Sequence, residues 1–501
     1  MVNIDRQVED AVLLVGQGDY FCINRGRQYG KTTTLNSLAT RLKDDYCVFN
    51  ISFEGLDDSV FSSVGSACAE FLKILRMHSK VNGASNDMKK LLINALPLGC
   101  NEIGTTEFTD IINELCGLSP KPIVVMIDEV DQASNNDGFI KFLGVLRKMF
   151  LARETFGTFW SVILAGVYDV KNLKLKIRTD NSHQYNSPWN IAVPFNSDMN
   201  LPAEGIAGML EQYKHDHNIN FNSKEIGQLI YDYTSGYPFL VSRLCQIIDQ
   251  EKLNWDKNGT LRAVNLLLKE GNTLFDDIQK KITQFPGLSD LLKSIIFGGQ
   301  RVAFNYYDTD INIASIFNFV KDDNGTTKIS CRIFETWLYN YYISLDKSST
   351  IYQNGEYEKS QFVHNGFLDM KGLIERFSEH FNEIYRPEVD DKFVEDNGRK
   401  IFLTYLRPII NGVGNYYCEA QTRDLTRTDI IIDYLGQQYI IELKIWRGNA
   451  YNERGEQQLI EYLDYYRLQT GFMVSFCFNK NKQPGIREVQ IGERKIIEAI
   501  V

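Results

Sequence analysis

Histidine is scarce in this chain, cysteine is scattered, and no apolar run is long. Six histidines stand at positions 78, 183, 215, 217, 364 and 380. His215 and His217 are two residues apart and do not converge on one face of a helix. No HExxH, zinc-finger or Ser/His/Asp pattern appears, which excludes a zinc protease and a triad hydrolase. Nine cysteines, an odd number, form no CxxC pair. That usage suits a reducing compartment and argues against a structural zinc site. No apolar run approaches the roughly 18 residues a bilayer span needs. The first residues, MVNIDRQVED, hold neither a basic n-region nor an apolar h-region, so no secretory signal, no membrane partner and a cytoplasmic location are expected. An excess of basic charge is also missing. Lys and Arg number 54 against 64 Asp and Glu, a formal charge of -10. Such a chain does not coat nucleic acid by bulk attraction, so any such contact needs a local basic patch or bridging metal ions. Internal repeats and low-complexity tracts are absent.

What remains describes a folded, multi-domain chain. Its 501 residues suggest about three domains. With 44% hydrophobic and 24% charged residues and a mean hydropathy of -0.26, collagen-like, mucin-like and wholly disordered classes are excluded. The aromatic share of 12%, with 26 Tyr, reads as core and surface tyrosine, not as platforms for stacking bases.

Residues 1–200 alternate apolar runs with helical stretches. Strands are expected at Tyr20–Asn24, Tyr46–Phe53, Ile123–Ile127, Phe159–Val167 and Ile191–Phe195, and helices at Lys31–Leu42 and Phe139–Leu151. Buried strands separated by helices imply a parallel sheet covered on both faces. Residues 201–280 read as helical. Over 281–345 the pattern is helix, hairpin and helix, with Asp322-Asp323-Asn324-Gly325 as the turn signal. A winged-helix-like module and an ordinary α+β domain both fit it. The polar stretch 346–364 reads as a linker. Residues 365–501 end in strands and a helix, a second α/β unit.

Two constellations carry chemistry. In the first, a strand runs into Arg25-Gly26-Arg27-Gln28-Tyr29-Gly30-Lys31-Thr32-Thr33 and then a helix. In that setting, loop N–H groups and a helix N-terminus face phosphates, Lys31 reaches the β/γ oxygens, and the Thr32 hydroxyl ligates Mg²⁺. The GKT core is intact, but Arg25 stands where the strict pattern wants glycine. About 100 residues on, the IVVMI run ends in Asp128-Glu129. Asp128 would hold Mg²⁺, and Glu129 would orient or activate the attacking water. Tyr168 or Asp169 reads either as a γ-phosphate sensor or as a polar strand end. Arg243, one to two turns into a helix begun by Pro238, reads either as a nucleotide contact or as a surface arginine. Arg147 and Arg178 are further candidates for a charge-stabilising arginine.

RGRQYGKTTTL, VVMIDEVD, SVILAGVYDVKNLKLKIR, SPWNIA and TSGYPFLVSRLC together resemble the AAA-like ATP-binding proteins of anaerobic gut bacteria. More broadly they are similar to the STAND and archaeal-ATPase branch of P-loop NTPases. The resemblance covers roughly residues 1–345. It implies an ASCE-type ATPase core that takes ATP and Mg²⁺, a helical lid and a winged-helix-like module.

The second constellation lies near the other end. Asp429 sits on one strand-like run, Glu442 and Lys444 on the next, with Gly436-Gln437 as the turn. Residues 442 and 444 share a face. Two carboxylates on adjacent strands suit a divalent metal, and the lysine beside them suits a water or a phosphate. Upstream, Glu395 opens a helical run and would add a ligand or orient the lysine, with Glu419 and Glu383 as alternatives. Downstream, Gln458 and Tyr462 share a helix face. Arg427 and Arg447 flank the strands as phosphate contacts.

Asp429, Glu442 and Lys444 in the spacing D-x(12)-E-x-K resemble the PD-(D/E)XK nuclease superfamily, with Thr428 where that pattern has proline. The resemblance covers about residues 365–501 and implies a restriction-endonuclease-like fold holding Mg²⁺ or Mn²⁺ at Asp429 and Glu442. The expected whole is α/β: a MgATP-binding ATPase coupled to a metal-dependent phosphodiester-cleaving nuclease. Its expected partners are nucleic acid, DNA above all, and further copies of itself. Defence against foreign DNA is the setting that family analogy implies. The alternative is a nucleotide-switched regulatory protein that binds DNA or a partner through a nuclease-like domain that does not cut.

Overall fold

The computed structural model describes residues 3–79, 84–96, 99–133, 136–167, 189–297, 302–385, 395–411, 413–421, 427–478 and 484–501. The chain divides into two compact units: Met1–Asn200 with Ile316–Asn318, and Leu201–Ser315 with Phe319–Val501.

The first unit opens with α1 (Asp5–Gly16), β1 (Phe21–Asn24), α2 (Lys31–Leu42) and β2 (Cys47–Ser52). Helices α3 (Val64–His78), α4 (Asn86–Asn94) and α5 (Thr105–Gly117) follow, then β3 (Ile123–Asp128), α6 (Asp137–Leu151), β4 (Ser161–Gly166) and β5 (Val193–Pro194). The strands form one sheet in the order β2-β3-β4-β1-β5, and every pairing is parallel. Every residue of β3 and β4 is buried. Helices on both faces leave these strands no solvated side, so they read as unbroken apolar runs. Phe71, Phe108, Phe142 and Phe159 pack in the core beneath them. The register sets Asn24 beside Gly166 and Ser52 beside Asp128. The carboxyl ends of β1 to β4 are therefore level, and ligands of open α/β sheets bind at that edge.

The second unit starts with helices α7 (Ala203–His217), α8 (Ser223–Thr234), α9 (Pro238–Gln250), α10 (Lys257–Lys269), α11 (Thr273–Gln284) and α12 (Pro286–Phe297). After α13 (Thr309–Ile316) comes the hairpin of β6 (Val320–Asp323) and β7 (Thr326–Ile329), then α14 (Arg332–Leu345). The hairpin falls where DDNG placed it. Asn324 and Gly325 both have positive φ, 52° and 82°, as a two-residue I′ turn requires. Ala303 bridges to Thr326. Between that bridge and β6, α13 is the one helix among the described residues. A helix-turn-helix needs a second helix there to enter the major groove. From Pro286 to Leu345 the described residues thus form three helices and one hairpin.

The expectation of a linker at 346–364 needs correction, because α15 (Thr350–Phe362) occupies most of it. Ile351, Tyr352, Gly355, Glu358 and Phe362 are its buried residues, a helical stripe in an otherwise polar sequence. A Cβ at Gly355 would lie 2.2 Å from the carbonyl oxygen of Tyr405, so glycine lets two helices meet there. The buried Glu358 accepts hydrogen bonds from Arg376 (2.7 Å) and Tyr405 (2.7 Å) and contacts His380.

A short hairpin, β8 (Val363–His364) and β9 (Phe367–Leu368), leads to α16 (Met370–Ile384) and α17 (Glu395–Ile410). Then come β10 (Gly414–Gln421), β11 (Arg427–Tyr434), β12 (Gln437–Ile445), α18 (Asn449–Tyr466), β13 (Thr470–Phe476), β14 (Gly485–Ile491) and β15 (Arg494–Ile500). The sheet order is β10-β11-β12-β13-β15-β14. Its β12, β13 and β15 are mutually parallel, and the remaining pairings are antiparallel. Glu442 pairs with Met473 and Lys444 with Ser475, and α18 packs against β12 and β13. Helix α17 reaches the sheet at Gly398, where a Cβ would come within 2.3 Å of the Phe476 ring. That approach brings Glu395 and Arg399 to the strands.

One carboxyl of this sheet sets a pH dependence. Asp433 is buried, and burial pushes its pKa up to about 6, against the pull of the Gly436 N–H and the Lys257 charge. The native state thus favours the protonated form. Its contribution to stability is whole below the ordinary carboxyl range and is lost as pH rises through about 6. Two pKa units correspond to roughly 3 kcal/mol. Asp433→Asn keeps an acceptor for Gly436 and removes the charge. Its Tm is expected to exceed wild type at pH 8 and to match it near pH 4, measured by thermal unfolding across that range.

Candidate functional sites

The loop after β1 folds back on itself around Lys31. Gly30, with φ 79°, caps α2, a conformation that costs glycine little. Lys31 is buried, and its Nζ donates to the carbonyl oxygens of Arg25 (3.1 Å) and Gly26 (3.0 Å). Burial lowers its pKa, while the charges of Asp131, Glu129 and Asp128 oppose that shift. The Thr32 hydroxyl donates to Oδ2 of Asp128 at 2.5 Å, and the other Asp128 oxygen accepts the Glu129 N–H at 2.9 Å. Glu129 has left-handed backbone, φ 54°. Burial raises its pKa against the nearby Lys31 charge. Lys31, Thr32, Asp128 and Glu129, separated by about 100 residues in sequence, thus meet at one end of the sheet.

The departure from the strict loop pattern has a structural counterpart. Arg25, standing where glycine was wanted, donates to the carbonyls of Asn24 (2.8 Å) and Ser197 (2.8 Å) and ties the loop to the segment after β5. Tyr29 is buried, and its hydroxyl donates to Oδ1 of Asn200 at 2.5 Å. Both act as anchors. Arg27, Gln28 and Thr33 are exposed on the loop and first helical turn. Asp131 accepts the Val167 N–H at 2.6 Å and adds a third carboxylate near Lys31. Sequence reasoning did not single out Asn200 or Asp131. The DEVD string signals Asp131; nothing local signals Asn200.

The acidic cluster of the second unit is tighter. Ile430 pairs with Ile441, so the next rung sets Asp429 across from Glu442. Lys444 Nζ lies 2.8 Å from Glu442, 3.7 Å from Glu395 and 4.0 Å from Asp429. Glu442 is fully buried, and neither of its oxygens makes a well-aligned hydrogen bond among the described residues. Burial, then the Asp429 charge, drives its pKa well up; Lys444 opposes them. Burial works to lower the Lys444 pKa, but Asp429, Glu442 and Glu395 outweigh it and hold the ammonium form. Asp429 accepts the Leu443 N–H at Oδ2 (2.7 Å) and Nη2 of Arg399 at Oδ1 (3.2 Å). Gln458 Nε2 donates to the Tyr462 hydroxyl at 2.6 Å. Burial and the charges of Glu442 and Asp429 push that phenol up to about 12, which ties the α18 pair to the cluster.

The donor set suits a hard cation. A buried carboxylate oxygen lacking a hydrogen bond is costly unless charge compensates it, and Glu442, with Lys444 at 2.8 Å from Oε1, has no such partner at Oε2 among the described residues. Among the described residues, no three His, Cys, Asp or Glu side chains gather as a metal-holding group. A divalent ion here would take Asp429 and Glu442 and complete its shell with water.

Other expected residues fall elsewhere. Arg243 on α9 is held within the second unit by Glu270, at 3.1 and 3.0 Å from Nε and 2.5 Å from Nη2. Arg147 is half-buried on α6, Glu383 is exposed on α16, and Arg447 is exposed after β12. Tyr168, Asp169 and Arg178 lie outside the described residues, as do the side chains of Glu419 and Arg427. Arg399 was not anticipated. It lies one helical turn after Glu395, and that spacing is its only signal.

No family model matches the chain, and no curated protein matches it. Among solved structures, a Walker-type ATPase of Pyrococcus abyssi is similar at 13% identity, covering 68% of this chain and 96% of that one, with a TM-score of 0.46. The ORC2 protein of Aeropyrum pernix is similar at 12% identity over 69% of this chain and 94% of its own, with a TM-score of 0.34. The ORC1 protein of the same organism, in complex with DNA, gives 12%, 69%, 94% and 0.29. All three are distant in sequence and in TM-score. Among the described residues no helix is long and apolar enough to cross a membrane.

Proposed function

We propose that the first unit binds and hydrolyses MgATP and that the second cleaves phosphodiesters with a divalent metal. The observation that carries the first half is the Thr32 hydroxyl on Asp128, beside Lys31. Thr32 and Asp128 would hold Mg²⁺, which would supply positive charge against the phosphates. Lys31 leaves the carbonyls of Arg25 and Gly26 for the phosphates, and the loop N–H groups follow. Glu129 orients the attacking water. Glu129→Gln is expected to slow hydrolysis about 10²- to 10⁴-fold and to leave ATP affinity within a few-fold. Phosphate release and equilibrium binding measure the two separately. Equal loss of both would remove Glu129 from the chemistry.

The convergence of Lys444 on three carboxylates carries the second half. Mg²⁺ or Mn²⁺ at Asp429 and Glu442 would polarise the phosphate and supply a nucleophile from water. Lys444 meets the charge that develops on the phosphate. Glu395 holds Lys444 from α17, and Gln458 with Tyr462 lines the α18 side. DNA is the proposed substrate, ATP state the proposed gate on cutting or on assembly into homo-oligomers, and defence against foreign DNA the proposed setting. The joining of the two units in one chain supports the coupling. Incubation of plasmid DNA with the full chain in Mg²⁺ or Mn²⁺, with and without ATP, tests the whole.

One observation favours a second reading: both Asp429 oxygens are already engaged, by Leu443 and Arg399. A domain that recognises nucleic acid without cutting it would keep that arrangement. DNA binding with no cleavage under any metal or nucleotide condition would select this reading.

A further inference from the structure

Arg399 is buried on α17, one turn after Glu395, and its guanidinium reaches into the acidic cluster. Its place there is fixed from outside. Gly398 lets α17 close on Phe476, and the neighbouring Lys400 is tied to Asp346 at 3.2 Å. Asp429 offers two oxygens. Oδ2 is committed to the backbone of β12 through the Leu443 N–H. Oδ1 is the oxygen on which Arg399 Nη2 sits, at 3.2 Å. A cation shared by Asp429 and Glu442 has to compete with Arg399 for Asp429. Among the described residues the charge count agrees: the three carboxylates Glu395, Asp429 and Glu442 lie with the two cations Lys444 and Arg399. One further divalent charge overfills the cluster unless a cation moves or an anion arrives.

We infer that Arg399 is a further residue of this site: it holds Asp429 in place of a divalent cation and turns to an incoming phosphate once a cation takes Asp429. The planar guanidinium suits both partners, since carboxylate and phosphate accept the same fork. This inference rests on reading the cluster as a cation site.

The test is Mn²⁺ binding to the full chain by titration calorimetry and by the free-ion EPR signal, with no nucleic acid present. Arg399→Met and Arg399→Gln remove the competing charge and are expected to bind Mn²⁺ about tenfold more tightly than wild type. Arg399→Lys keeps the charge and is expected to bind like wild type. Asp429→Asn is expected to abolish binding in every background. Circular dichroism and Tm identify any variant that fails to fold, and either neutral substitution suffices. Wild-type binding with unchanged or weaker binding in the folded neutral variants overturns the role given to Arg399 and leaves the cation site standing. Absence of Mn²⁺ binding in wild type and all variants overturns the cation site and the inference together.

Discussion

Lys31→Ala is expected to weaken ATP binding by roughly 10- to 100-fold, the range of a charge-assisted hydrogen bond worth about 1.5–3 kcal/mol. The ammonium is buried and bonded to two carbonyls of its own loop, which it exchanges for phosphate oxygens when ATP binds. Replacing carbonyls by phosphate oxygens exchanges neutral acceptors for charged ones, the source of the preference. A thermal readout separates this effect from simple unfolding. A ligand at 100 times its Kd stabilises the folded state by about 2.7 kcal/mol. Wild type is therefore expected to gain Tm with ATP, and Lys31→Ala to gain little at the same concentration. The substitution also leaves Arg25 and Gly26 carbonyls without their donor, so a small loss of Tm without ATP is expected. A full ATP-dependent Tm shift in Lys31→Ala would remove the loop from phosphate binding.

How far these sites were legible in the sequence depended on the distance between partners. The IVVMI and SVILAG runs announced their strands because parallel strands buried on both faces have no polar side to interrupt them. Glu442 and Lys444 were legible because a strand's period of two forces them onto one face. Helix α15 was not, since Ile351, Tyr352, Gly355 and Phe362 are diluted by polar residues, and a glycine at a close helix contact looks like a turn former. Arg399 four residues after Glu395 reads as a surface pair on one helix; its partner Asp429 lies 30 residues on. Tyr29 and Asn200 are 171 residues apart, and nothing near either residue points to the other. A winged helix was suggested by the hairpin beside helices and by the family resemblance, and neither says how many helices precede the hairpin.

Lys444→Ala is expected to reduce metal-dependent phosphodiester cleavage by about 10²- to 10³-fold, the usual cost of removing one charge stabiliser from a developing oxyanion. The expected loss is in turnover more than in substrate affinity, because charge on the phosphate grows toward the transition state. The fold should feel it too. Glu442 is fully buried and 2.8 Å from Nζ, and stripping a buried carboxylate of a close cation costs about 3–5 kcal/mol unless it takes up a proton. Burial already drives Glu442 toward the neutral form, so part of that cost is relieved by protonation. The comparison with Lys444→Arg separates charge from shape, since arginine keeps the former and crowds Glu395. Rates are to be measured on plasmid DNA in Mn²⁺ against Tm for each variant. Cleavage lost by the alanine variant at a temperature where it is still folded assigns Lys444 to the chemistry. Cleavage that survives the substitution assigns the lysine to folding and moves the search for the stabilising charge to Arg399.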